Sequence, residues 1–180
     1  MDLVGTFKVY FPVISGVQIL IYLVILLGLG GVFLYQVRRG RMQIWQGGYL
    51  LLAFTYLYLV LLSTVYSRQP FEGKHYELVP FWSYAYAIRN RSKIMVKEIF
   101  LNVFLLMPSA AMVLCTIRNL AHIRWVVLSG LLISAFIETQ QFIFECGLFE
   151  WDDMIHNTLG VFLCCVIRKK WGNIKKKSVI

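Results

Sequence analysis

The chain is poor in charge. Charged residues make up 15% of its 180 residues, with 18 Lys and Arg against 9 Asp and Glu. A water-soluble domain carries roughly 25% charged and 45–50% apolar residues. Here 59% of residues are apolar and the mean hydropathy is +0.68. So little polar surface cannot coat a particle in water, which leaves lipid as the solvent for much of the chain. Cysteine is also scarce: Cys115, Cys146, Cys164 and Cys165 show no zinc-ligand spacing, and Cys164 and Cys165 are neighbours inside an apolar run. They read as small packing residues, and no structural disulfide is expected. Internal repeats and low-complexity stretches are lacking, as are a Gly-rich phosphate loop, a nucleophile elbow and a His-Glu-x-x-His pair. The first residues, with one Lys (Lys8) and one Asp (Asp2), do not have the form of a cleaved signal and read as a retained membrane helix.

What charge there is comes in clusters. The net charge of +9 sits between apolar runs, where it fixes topology and meets anionic headgroups, so nucleic acid is not an expected partner. A spanning helix needs about 20 apolar residues. Residues 9–37 and 42–67 contain no charge at all. The pattern predicts an all-α, polytopic membrane bundle of about five spanning helices, near residues 13–37, 44–66, 99–117, 125–144 and 152–167. Pro108 falls inside the third, where neighbouring helices must satisfy the carbonyl it frees. Residues 1–180 form one membrane domain, and 168–180 are a basic tail.

Arg38, Arg39 and Arg41, then Arg118 and Arg124, then the cluster beginning at Arg168 all belong on the cytoplasmic side. With five spans this puts the N-terminus outside and the C-terminus inside. The stretch 67–98 then lies outside although it holds six Lys and Arg, among them Arg68 and Arg91. It also holds Phe71, Tyr76, Phe81, Trp82, Tyr84 and Tyr86, which suits a segment lying in the outer interface. A sharper reading is a basic surface that holds an anionic lipid or ligand.

Ionisable and amide side chains inside membrane helices are costly, and each needs a reason. Glu98 and Asn102 are four residues apart on one face of the third helix. On the fourth, Ser134, Glu138 and Gln141 share a face, and Glu138 lies about 20 Å along from Trp125, at ~1.5 Å per residue. Asp153, Asn157 and Gly160 form a stripe on the fifth, beside Asp152. The topology sets all of these at one depth, so three helices aim acids and amides at one pocket in the outer half of the membrane. Plainer readings stand beside this one: Asp152 as an N-cap, Asn102 and Asn157 as interhelical glue, Glu98 paired with Lys97 or Arg91. Glu138 is expected to be either hydrogen-bonded to amides or protonated. His156 falls on another face and reads as packing.

These same residues carry a resemblance. Ser134-Ala-Phe-Ile-Glu138-Thr-Gln-Gln141, followed by Phe149-Glu-Trp-Asp152-Asp153-Met-Ile-His-Asn157-Thr-Leu-Gly160, resembles the VanZ family of small bacterial membrane proteins. Leu78-Val-Pro80-Phe81 and the helix from Glu98 through Asn102 to Pro108 are similar to two further elements of its pattern, so that residues 78–167 form the VanZ-like core. The chain departs from that pattern at Glu77, at Ser109 and Ala110, at Leu148 where the family commonly has a basic residue, and at Glu150 where it has Asp. The resemblance implies a bacterial cytoplasmic membrane protein with an envelope role, in a family whose namesake is associated with resistance to teicoplanin.

Three functions follow as expectations. The first is an envelope factor that holds an outer-leaflet lipid-linked cell-wall precursor or a glycopeptide in the polar pocket. The second is an intramembrane enzyme acting on a lipid headgroup, with Asp152, Asp153 and Glu138 as candidate ligands of a divalent cation such as Mg²⁺ and Glu138 as acid or base. The third, a transporter with Glu138 as proton carrier, is disfavoured by the lack of a repeat.

Overall fold

The computed structural model describes residues 15–70, 73–117 and 122–177. Arg118 and the first fourteen residues, including Lys8, lie outside the described residues. Helix α1 (Gly16–Arg38) begins at a capping box, in which Ser15 and Gln18 satisfy each other's backbone N–H groups. It ends at Arg38, and Gly40 turns the chain with φ of 69°, a conformation that suits glycine. Helix α2 (Ile44–Leu61) continues without a break as a π-helical turn, Leu62–Tyr66. A two-residue strand, β1 (Tyr76–Glu77), and a short helix, α3 (Trp82–Arg89), follow. Next come α4 (Lys93–Leu105), α5 (Met107–Thr116) and α6 (Ile123–Ile143), then strand β2 (Phe149–Glu150) and α7 (Trp151–Lys177).

Among the described residues four stretches are long and apolar enough to cross a membrane: Gly16–Arg38, Ile44–Tyr66, Lys93–Thr116 and Ile123–Ile143. The fold is a helical membrane bundle, as the sequence leads one to expect. The fifth expected span lies within α7, whose first turn bears Asp152 and Asp153 and which continues ten residues past Ile167 because the basic tail stays helical. The third span starts at Lys93 rather than near residue 99: Ser92 caps it, so its charged first turns are helical too.

Pro108 does break the third span, but at Leu106, so that the proline falls in the first turn of α5, where its missing N–H costs nothing. The carbonyls exposed at the break are taken up. Tyr56 of α2 donates its hydroxyl to the Leu105 carbonyl at 3.0 Å, and Ser109 donates to that of Leu106 at 2.8 Å. The apolar core gathers at this level, with Val60, Leu106, Ala110, Leu114, Val126, Ile137, Val161 and Cys165. Helix α7 comes so close to α4 that a Cβ on Gly160 would stand 1.8 Å from the Val103 carbonyl oxygen.

Outside the core the usual burial is reversed. Helix α1 buries no residue and packs on α2 through Tyr22, which hydrogen-bonds Thr55 at 2.8 Å and stacks on Tyr58. Apolar side chains face outward, Leu27 with 74% of its surface exposed. Serines, acids and amides are buried instead. At the end remote from the Arg38 cluster, β1 and β2 pair in parallel, Tyr76 with Phe149 and Glu77 with Glu150. This small sheet, which no sequence pattern signals, pins the 67–98 stretch to the start of α7.

Candidate functional site

Helix α7 enters the bundle with acids in its first turn, and each is met by a different element. Asp152 is fully buried. Its carboxylate accepts from the backbone N–H of Phe81, the backbone N–H of Ser83 at 3.0 Å, and the Ser83 hydroxyl. It therefore caps α3, some 70 residues upstream, rather than its own helix. That contact accompanies the left-handed φ of 64° at Phe81, a conformation that costs a non-glycine residue roughly 1–3 kcal/mol. Asp153, next along, accepts from the Asn102 side chain of α4. One turn deeper, Asn157 donates to Ser134 of α6 at 2.8 Å. Glu138, 2% exposed, accepts the Glu150 backbone N–H at 3.1 Å, which ties α6 to β2. Gln141 donates to the Thr64 carbonyl in the π turn at 3.2 Å.

In front of these pairs lies a cavity of about 400 Å³. Of the residues that the sequence singles out, Glu98, Asn102, Gln141 and Asp153 line it. Ser134, Glu138, Asp152 and Asn157 do not line it. The acids and amides of three helices meet in one region, four of them at the cavity wall and four behind it.

Two charged wall residues lie outside the set that the helical period groups into the pocket. Glu150 lines the cavity and accepts the Trp82 indole N–H at 3.0 Å. Burial, reinforced by the negative charge of Asp153, pushes its carboxyl up to about 7. Arg68 is the other. Its charge acts on both Glu138 and Asp153. Arg68 follows the π turn, just past the end of the second span. Leu148, where the VanZ pattern has a basic residue, lines the same cavity as Arg68.

His156 is buried, with Nε2 hydrogen-bonded to the Tyr84 hydroxyl at 2.8 Å. Among the described residues no three His, Cys, Asp or Glu side chains gather as metal ligands. Both Asp152 oxygens accept hydrogen bonds from the start of α3.

A bundle of apolar helices with a polar cavity at one end, walled by acids, amides and an arginine, defines a polytopic membrane protein with a small polar pocket. The chain belongs to the VanZ/LLP1 family, which it matches over residues 19–171, nearly its whole length. No curated protein and no solved structure matches it.

Proposed function

We propose that this chain acts in the bacterial cell envelope by holding an outer-leaflet lipid-linked precursor or glycopeptide in the polar cavity, and thereby contributes to teicoplanin resistance. One observation carries the reading: Arg68, Glu98, Glu150 and Asp153 line a single cavity of about 400 Å³. An arginine suits a phosphate or carboxylate, and the acids and the carboxamides of Asn102 and Gln141 suit ammonium or amide groups. A phosphate- and peptide-bearing headgroup offers both. The volume is at the lower end of small-molecule pockets, so one headgroup-sized fragment enters rather than a whole glycopeptide.

In this reading the chain crosses the bacterial cytoplasmic membrane five times, with the N-terminus outside and the C-terminus in the cytoplasm. The basic residues Arg38, Arg39, Arg41, Arg124 and Arg168 support it, since all fall at the helix ends opposite the cavity. The test is teicoplanin susceptibility of a host expressing wild type, Arg68→Gln or Glu98→Gln. Wild type should raise the inhibitory concentration and both variants should return it to that of the empty vector. Equal susceptibility of all four strains would remove the antibiotic link.

A second reading, an intramembrane enzyme on a lipid headgroup, is favoured by Glu150. An acid held near neutrality at the wall of a cavity has the form of a general acid or base, a role that contributes about 10²–10⁴-fold. Purified protein should then release a labelled headgroup from lipid vesicles, and Glu150→Gln should slow release by about 10²-fold. No release by wild type would exclude it.

A further inference from the structure

At the opposite end of the bundle a second cavity, of about 740 Å³, opens between α2, α5 and α7. Its floor is made of small side chains: Ala111 and Cys115 on α5 and Cys164 on α7. Bulky aromatics rise on either side, Trp45 and Tyr49 from α2 and Trp171 from α7, all exposed. The walls are apolar apart from one charge, Arg168. Of the consecutive cations Arg168, Lys169 and Lys170, the two lysines are exposed and only Arg168 is half-buried. Its Nε donates to the Leu114 carbonyl at 3.5 Å, which draws the guanidinium in against the groove.

Among the described residues no carboxylate lines this groove. A half-buried cation with no acid beside it is costly, and an anion from outside relieves that cost. The groove supplies the rest of the description: an apolar trough wide enough for a hydrocarbon chain, walled by aromatics of the kind that sit at headgroup depth. We propose that the groove binds one acyl chain of an anionic phospholipid, with the lipid headgroup on Arg168. The exposed Arg38, Arg39 and Arg41 at the same end add to the field that favours an anionic lipid. A second copy of the chain is a poorer occupant. Two copies facing through this groove in one membrane would bring their basic ends together, and like charges repel.

The test uses the full chain in detergent micelles, with phosphatidylglycerol or phosphatidylcholine added, and counts retained lipid by native mass spectrometry. Wild type should retain phosphatidylglycerol in preference to phosphatidylcholine. Arg168→Gln should weaken retention about fivefold, the equivalent of ~1 kcal/mol for a basic residue near a headgroup. Lys169→Gln, which changes the same charge outside the groove, should change retention by less than about twofold. Cys115→Trp, which fills the floor and leaves Arg168 in place, should also expel the lipid. Equal loss in Arg168→Gln and Lys169→Gln would mean a diffuse basic surface and would overturn the proposal. So would retention of phosphatidylcholine as strongly as phosphatidylglycerol, or a dimer abolished by Cys115→Trp with no change in bound lipid.

Discussion

Glycine 160 and glutamate 150 show how much of this architecture rests on single side chains. Gly160 lets α7 touch the backbone of α4, and the atom a Cβ would meet, the Val103 carbonyl oxygen at 1.8 Å, cannot turn aside as a side chain can. Gly160→Ala must push the two helices apart, at a cost of about 3 kcal/mol, the upper range for overpacking. A thermal melt in detergent should show a large fall for Gly160→Ala and none for Gly28→Ala, where an added Cβ meets nothing within 4 Å. Glu150 makes the stability depend on pH. Its folded carboxyl titrates at about 7 against an ordinary 4.5, so between those values the folded state binds more protons than the unfolded one. Stability from this residue is therefore full below about pH 4.5 and declines as pH rises to about 7. Melting temperatures measured from pH 4.5 to 7.5 should fall more steeply for wild type than for Glu150→Gln; parallel curves would contradict the burial of this acid.

At the scale of elements, two departures from regular helix shape the cavity. The break at Leu106 holds because α2 satisfies it: Tyr56 occupies the Leu105 carbonyl at 3.0 Å. Tyr56→Phe keeps the ring and removes the donor, leaving a carbonyl unsatisfied at a cost of about 1–3 kcal/mol. The melting temperature should fall accordingly, and hydrogen exchange should quicken in α5 more than in α6. Unchanged exchange in α5 would mean that the break is stable without α2. The π turn is the second departure. By adding a residue to the local repeat, it presents the Thr64 carbonyl to Gln141 and lets Arg68 line the cavity with Asp153.

The whole molecule has two unlike ends. The cavity, the small parallel sheet and α3 occupy one end of the bundle, and the Arg38, Arg124 and Arg168 clusters the other. Labelling of Leu148→Cys in a Cys146→Ser background by a membrane-impermeant maleimide should succeed from outside intact cells. Protection there, with labelling only after permeabilisation, would invert the orientation. The reversed burial, apolar side chains out and acids, amides and serines in, is what lipid as solvent demands.

Much of this could be read from the chain alone. Uncharged runs and basic stops place the four long apolar helices within a few residues, because transfer of apolar side chains into lipid is large and local. The helical period likewise groups Ser134 with Glu138 and Gln141, and Asp153 with Asn157. The third span starts earlier than its uncharged run, at Lys93, because charged side chains do not end a helix at headgroup depth. What no local rule reaches are contacts between distant segments. Asp152 caps a helix some 70 residues away, Arg68 stands in the cavity beside Leu148, and a two-residue sheet joins Tyr76 to Phe149. Lipid penalises every unpaired polar group, which is why the acids and amides must find partners. Which partner each one takes depends on how closely the helices approach, and between α4 and α7 that closeness is set where Gly160 meets Val103.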